Sequence, residues 1–142
     1  MAVDFFKYEK GYWYPHMKPR DIEIWERFIA KYPDAYETCQ YDFAVGDVPP
    51  FIASASSREG QAMGELYKLK IDVLGYCGDT IDLIEVKPDA GASSIGQLLG
   101  YIELYKRDIK PTKQIRPVIV TNSLRTNMDF LTEQQGVKLY VV

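Results

Sequence analysis

The amino-acid sequence predicts an α/β (α+β) domain with the element order α-β-β-β-α-β-α-β. Three observations predict this class: an amphipathic helical stripe before Pro33, two strand-like apolar runs joined by Gly78-Asp79, and a buried apolar strand at 117–120 between two helical segments. At 142 residues, we expect residues 1–142 to form a single domain with its own hydrophobic core.

The first predicted helix spans residues 19–32. Residues 1–19 precede it as an irregular extension rich in aromatic side chains. Asp21 is expected to be the N-cap or an acid of the first turn, and Pro33 ends the helix. Its apolar stripe has helical spacing and consists of Ile22, Trp25, Phe28, Ile29 and Tyr32.

The later elements follow from alternating apolar residues, apolar runs and turn residues. Ser93 or Ser94 is the expected cap of the second helix, and Gly136 ends the third. The predicted bounds are a strand at 35–45, a long loop at 46–64, a hairpin at 65–87, a helix at 90–107, a strand at 116–121, a helix at 125–135 and a strand at 137–142. The last strand is a candidate exposed edge.

Two acidic residues lie inside the strand-like runs of the hairpin, where a carboxylate is costly to bury. Gly78-Asp79 is a two-residue turn signal, and counting back from that loop places Asp72 opposite Glu85. Opposed residues on one face have Cβ atoms about 5 Å apart. Because side chains alternate with period two, Lys87 shares the face of Glu85, whereas Asp82 points to the other face and is interpreted as structural.

Like charges at this spacing repel each other unless a cation lies between them. Carboxylate oxygens suit a hard divalent ion, so the expected cofactor is Mg²⁺ or Mn²⁺. Lys87 lies one pleat from Glu85, where it would orient or deprotonate a water or stabilise negative charge. The pattern therefore predicts a metal site at Asp72 and Glu85 that suits cleavage of a phosphodiester.

Asp72, a hairpin, and then Glu85-Val86-Lys87 resemble the PD-(D/E)xK nuclease superfamily, which has a restriction-endonuclease-like fold. The segment Gln97-Leu98-Leu99-Gly100-Tyr101 is similar to the QxxxY motif of its RecB-like branch. Ile71 stands where a proline usually precedes the acid. The motifs span only residues 72–101, and the predicted order of elements extends the resemblance to the superfamily core, a central mixed sheet flanked by helices.

The resemblance implies a metal-dependent deoxyribonuclease that hydrolyses DNA phosphodiester bonds, with phage or mobile-element DNA processing or repair as one setting. It adds two metal ligands, the Val86 carbonyl and Glu26 of the first helix, with Glu23 as a rival to Glu26. Gln97 would hydrogen-bond near the scissile phosphate or a metal-held water. Tyr101 would support that geometry or contact the DNA backbone.

Charge and aromatic content bear on the expected DNA partner. The net charge of −3 argues against a nonspecific DNA coat, but not against a nuclease with a local basic face. The candidates for DNA contact are Lys68, Lys70, Lys87, Lys106, Arg107, Lys110, Lys113 and Arg116. The aromatic N-terminal residues either stack on unpaired bases or cover an edge of the core, and the second role is favoured.

Several other classes are disfavoured. No apolar stretch is long enough to span a membrane, and the N-terminus does not resemble a signal peptide. Cys39 and Cys77 are expected to be reduced thiols of a cytoplasmic protein in a prokaryotic or virus-infected cell. His16 is the only histidine, so a histidine triad or a zinc site is nearly excluded. No P-loop is present, so coupling to a motor would need a helicase or other protein partner.

The sequence leaves two other functions open. The chain would also fit a catalytically inactive DNA-binding or assembly module on a nuclease fold, or a structural protein with surface acids only. It does not distinguish an exonuclease from an endonuclease, single-stranded from double-stranded DNA, or a monomer from a homodimer.

Overall fold

One open mixed sheet forms the centre of the computed structural model, which describes residues 4–50 and 58–142. Within that part of the chain, its strands lie in sequence order: β1 (Phe6–Lys7), β2 (Thr38–Val45), β3 (Leu69–Cys77), β4 (Thr80–Val86), β5 (Gln114–Thr121) and β6 (Lys138–Val141). Strands β1 to β4 pair antiparallel, whereas β4, β5 and β6 pair parallel. The last strand, β6, is therefore an edge of the described sheet, as predicted.

Helices cover both faces of this sheet. The described helices are α1 (Pro19–Lys31), α2 (Arg58–Tyr67), α3 (Ala92–Ile109) and α4 (Met128–Gln134). Trp25 of α1 packs on the face that carries Val73 and Ile84, and Leu98 of α3 packs on the opposite face with Leu83. A mixed sheet between helices was predicted and is confirmed. No described helix has the length and apolar content that a bilayer crossing requires.

The described structure contains the predicted order α-β-β-β-α-β-α-β together with two additional elements. One is the two-residue strand β1, which pairs with β2. The other is α2, which occupies positions 58–67, so the loop predicted at 46–64 and the hairpin start at 65 were wrong. The small-residue run at 53–57 lies outside the described residues.

The start of α3 differs from the predicted cap. Gly91 is the N-cap, and no side chain caps the helix. Ser94 is fully buried, and its hydroxyl has no hydrogen-bond partner among the described residues. By contrast, Asp21 lies in the first turn of α1, one of the two positions expected for it.

The hairpin between β3 and β4 has the predicted register. Cys77 pairs with Thr80, and the ladder continues to Val73 and Ile84. Gly78 has a φ of +55°, which glycine adopts without the steric cost of a Cβ atom. The two-residue loop therefore fixes which residues of β3 and β4 share a face.

A local distortion in β2, next to the end of β4, interrupts the regular alternation of side chains between the two faces of the sheet. Asp42 has a φ of +54° inside β2, a left-handed conformation that aspartate tolerates better than most residues. Tyr41 packs on the α1 face, but Phe43, two residues later, contacts Tyr105 of α3. The backbone thus changes faces at Asp42, which would stand opposite Asp72 in the ladder.

Gly75 of β3 provides a test of packing on the α1 face. A Cβ atom at this position would lie 2.7 Å from the Tyr36 ring. We expect Gly75→Ala to lower the free energy of unfolding by about 1–3 kcal/mol, because the ring must move. Urea unfolding measures this change. Gly100→Ala is the matched control, because its Cβ would meet nothing within 4 Å and it removes a helix glycine, so a gain of up to about 1 kcal/mol is expected. Equal effects of both substitutions would contradict the packing.

Candidate functional site

A cleft of about 660 Å³ opens where the N-terminus of α1 approaches the end of β4. Its walls combine acidic and basic side chains from the start of α1 and from the strands β3 and β4 with a polar side chain of α3. The lining residues are His16, Lys18, Pro19, Arg20, Asp21, Asp72, Glu85, Val86, Lys87, Pro88 and Gln97. The cleft therefore brings Asp72, Glu85, Val86, Lys87 and Gln97 of the sequence prediction to one place.

The two predicted acids lie next to each other at the base of this cleft. The ladder ends at Val73 and Ile84, and the next step in the same register brings Asp72 opposite Glu85. The Val86 backbone N–H donates to Oδ2 of Asp72 at 2.9 Å. Glu85 is only 8% exposed, and no hydrogen bond to its carboxylate is found among the described residues. One carboxylate is therefore held by the backbone, while the other is available to a ligand.

Burial and nearby carboxylates make both Asp72 and Glu85 weak acids. Burial raises the pKa of Asp72 to about 7, and the charges of Asp21 and Asp42 also raise it. Burial raises the pKa of Glu85 to about 8, with the Asp72 charge as the next cause. The Lys87 ammonium lowers both pKa values. The pair thus favours a bound proton or cation over two adjacent negative charges.

Lys87 follows β4 directly, and hydrogen bonds hold both its own backbone and the turn after it. Its N–H donates to the Val120 carbonyl at 3.0 Å, which continues the parallel pairing with β5. The next turn is tied to the loop after β5, because the Asp89 N–H donates to Asn122 and the Ser123 hydroxyl donates to Asp89. These bonds position the Lys87 side chain at the cleft wall beside the two acids.

Gln97 and Tyr101 lie one turn apart on α3 and contact each other. The Gln97 amide Nε2 donates to the Tyr101 hydroxyl oxygen at 2.6 Å. Burial raises the pKa of Tyr101, and the charges of Glu85 and Asp72 raise it further. Gln97 lines the cleft, while Tyr101 is buried behind it and holds the amide.

The structure does not bring Glu26 to the cleft, contrary to its predicted role as a metal ligand. Its carboxylate accepts a hydrogen bond from the Tyr14 hydroxyl at 3.0 Å. The acid of α1 that lines the cleft is Asp21, whose pKa is raised by burial. The two residues are five positions apart, which is about 140° around a helix. Only one of them can face the cleft, and the rival Glu23 is exposed.

His16 lines the cleft and contacts Asp42, and the sequence predicted neither residue for this site. The His16 ring nitrogen Nδ1 lies 2.5 Å from Oδ2 of Asp42, and both residues have a left-handed backbone. The His16 side chain is 76% exposed. A lone histidine in an irregular segment gives no sequence signal for this contact, because it depends on the distortion of β2.

Three of the eight predicted basic DNA contacts, Arg107, Lys113 and Arg116, have side-chain partners outside the cleft. Arg107 binds Asp47 and Asp108, and Arg116 binds Asp82 through a pair of hydrogen bonds at 2.7 and 3.2 Å. Asp82 also accepts a hydrogen bond from the Tyr36 hydroxyl, so the structural role predicted for it is confirmed.

Lys113 lies over the Tyr76 ring, 6.0 Å from its centroid. Lys106 lies in the last turn of α3, and Lys110 is its C-cap. Of the predicted set, Lys87 lines the cleft.

The oxygen ligands at the cleft are of the type that a hard divalent ion prefers. They are too few to complete its coordination without water. Among residues 4–50 and 58–142, no group of three or more His, Cys, Asp or Glu side chains is arranged to hold a metal ion. Two carboxylates remain, one of them without a hydrogen bond in the described structure, and Mg²⁺ commonly binds through one or two carboxylates with several waters. The residues therefore fit a partly hydrated ion.

Comparisons of the chain with protein-family models, curated proteins and solved structures found no match. The resemblance to the PD-(D/E)xK superfamily thus rests on the residues themselves.

The raised pKa values predict how stability depends on pH in the metal-free protein. The folded state retains protons that the unfolded chain has already released, so wild-type stability falls as pH rises from about 4 towards about 8. Asp72→Asn keeps an oxygen acceptor for the Val86 N–H and removes the charge. We expect this variant to be more stable than the wild type by about 1–2 kcal/mol at pH 8, by urea unfolding in EDTA.

Asp82→Asn is the matched control for that experiment. It also neutralises one buried aspartate, but it breaks the ion pair with Arg116, so we expect it to destabilise the protein at the same pH. A stability loss for Asp72→Asn across the pH range would show that the two acids do not repel each other in the fold.

Proposed function

We propose that this chain is a metal-dependent nuclease that hydrolyses DNA phosphodiester bonds. The observation that carries the proposal is the pair of neighbouring carboxylates, Asp72 and Glu85, beside Lys87 in an open cleft. Asp72 and Glu85, with the Val86 carbonyl, would hold Mg²⁺ or Mn²⁺. Asp21 would act in place of Glu26 as the acid of the first helix, through a water.

The side chains of the cleft have distinct roles in this reaction. A bound divalent ion would lower the pKa of its water and screen the phosphate charge. Lys87 would orient the attacking water and stabilise the negative charge that develops on the phosphoryl oxygens. Gln97, held by Tyr101, would hydrogen-bond the phosphate. The water oxygen would form a bond to phosphorus and release a proton to solvent as the phosphorus–oxygen ester bond breaks, and the leaving oxygen would take up a proton from solvent.

A DNA-binding or assembly module without activity is the second candidate. The observation that favours it is that no three-ligand group occurs among the described residues. The two candidates differ in whether a metal ion binds and in whether DNA is cut, so both properties need to be measured.

Cleavage assays with purified protein test the reaction. Plasmid and single-stranded DNA are incubated with Mg²⁺ or Mn²⁺, or with EDTA. We expect metal-dependent cleavage by the wild type, and a loss of about a hundredfold or more in Glu85→Gln and Lys87→Met, because each removes a group that acts on the reacting phosphate.

Glu26→Gln is the matched control, because Glu26 bonds Tyr14 outside the cleft and glutamine keeps the acceptor. We expect it to cleave at the wild-type rate, whereas Asp21→Asn should be slower. Cleavage that persists in Glu85→Gln would come from a contaminant or another site and would overturn the proposal.

Metal binding has a separate readout in thermal stability. At a hundredfold excess over its dissociation constant, one bound ion adds about 2.7 kcal/mol to the free energy of unfolding. We expect Mg²⁺ to raise the Tm of the wild type by several degrees and to leave that of Asp72→Asn unchanged. Ca²⁺ and Na⁺ at matched ionic strength are the controls. An equal rise in both proteins would place the ion elsewhere.

A further inference from the structure

The segment before α1 exposes large aromatic side chains. Tyr12 is fully exposed, Trp13 is 66% exposed and Phe5 is 61% exposed. Elsewhere in the described structure, Trp25 and Phe28 are completely buried. Exposed rings that occur together on one segment, rather than singly, indicate a surface that binds something.

Hydrogen bonds and packing fix the position of this segment. The Gly11 N–H donates to the Tyr14 hydroxyl at 2.9 Å, and that hydroxyl donates to Glu26. The Tyr14 ring is buried against Tyr41, with 5.6 Å between centroids. Tyr12 and Trp13 are presented outward next to a fixed residue.

The exposed rings precede the cleft wall by a few residues along the chain, and the Trp13 ring contacts Phe6 of β1. His16 lines the cleft and follows Trp13 by three residues, a distance of at most about 10 Å along the backbone. Lys18 and Arg20 continue the same wall. A strand that leaves the cleft along this wall would thus pass two cations on its way to the segment that carries Trp13 and Tyr12.

Charge around the rings favours an anionic partner. Residues 4–20 contain four cations, Lys7, Lys10, Lys18 and Arg20, against two carboxylates, although the whole chain has a net charge of −3. Basic side chains interleaved with exposed aromatic rings are the combination by which proteins bind single-stranded nucleic acid, since phosphates need cations and every base has a face that stacks. Paired bases in a duplex do not offer those faces.

From these observations we propose that Tyr12 and Trp13 form a stacking platform for unpaired nucleotides. The backbone of the strand would run past Lys18 and Arg20 into the cleft at Asp72. The inference rests on the proposed nuclease function and specifies its substrate, a single strand or an unpaired end rather than continuous duplex.

Intrinsic fluorescence in metal-free buffer tests the platform without any cleavage. The chain has two tryptophans, and Trp25 is fully buried, so a ligand that stacks on the surface reports through Trp13. We expect a thymidine oligonucleotide in EDTA to quench Trp13 emission, and Trp13→Phe to remove the response while retaining binding. A duplex of the same length should quench little.

Affinity measurements complete the test. We expect Tyr12→Ala/Trp13→Ala to bind the single strand at least about tenfold more weakly and the duplex unchanged, because each stacked base contributes by its contact with a ring. Leu124→Ala/Phe130→Ala is the matched control, since it removes two exposed apolar side chains outside the segment, and its affinity should not change. Circular dichroism verifies that both variants fold.

Failure of the platform and failure of the nuclease proposal give different results. Glu85→Gln should bind the single strand as tightly as the wild type while cutting nothing. A wild-type protein that binds the single strand without cutting it would leave the platform intact and overturn only the reaction. Unchanged Trp13 emission, equal loss in the Leu124/Phe130 control, or quenching by anionic lipid vesicles instead of the oligonucleotide would overturn the platform.

Discussion

The close approach of the Asp72 and Glu85 carboxylates is the constraint on which the cleft depends. Two acids at the base of a partly closed site lose hydration, which is the main cause of the raised pKa of each, and nearby carboxylates raise both pKa values further. Such an arrangement costs stability in the metal-free protein. It persists because the hairpin register and the bond from the Val86 N–H to Asp72 hold both strands in place.

The sheet around the pair explains how this cost is tolerated. β4 is central in the described sheet, with β3 on one side and β5 on the other, so the backbone of Glu85 cannot shift to separate the charges. The left-handed Asp42 distorts β2 opposite Asp72, and the bonds around Asp89 fix the turn after Lys87. Burial of the large apolar cores on both faces stabilises the fold and offsets the destabilising effect of the two acids.

Local patterns in the sequence predicted the parts of this structure that depend on neighbours along the chain. The length of the Gly78-Asp79 loop determines which residues of β3 and β4 pair. The helical spacing of Gln97 and Tyr101 places them on one face of α3. Helix α2 was not predicted. Gly60 and Gly64 lower the helix propensity of this segment, so a loop was predicted there.

Features that depend on the packing of distant elements could not be predicted from the sequence. Whether Asp21 or Glu26 faces the cleft is decided by the rotation of α1 on the sheet, and both are acids of the same helix. The contact between His16 and Asp42 needs the left-handed backbone of β2, which no pattern signals. The aromatic N-terminal residues were expected to cover a core edge. Tyr8 and Tyr14 do so, whereas Tyr12 and Trp13 are exposed.

Direct titration with Mn²⁺ by calorimetry tests most sharply whether Asp72 and Glu85 share a cation. We expect the wild type to bind an ion at this site with release of protons, since both carboxyl groups have raised pKa values, and Glu85→Gln to lose that binding. Asp82→Asn, altered on the opposite face, should bind as the wild type does. A wild-type protein that binds no Mn²⁺, or a Glu85→Gln variant that binds it equally well, would contradict a metal centre between the two strands.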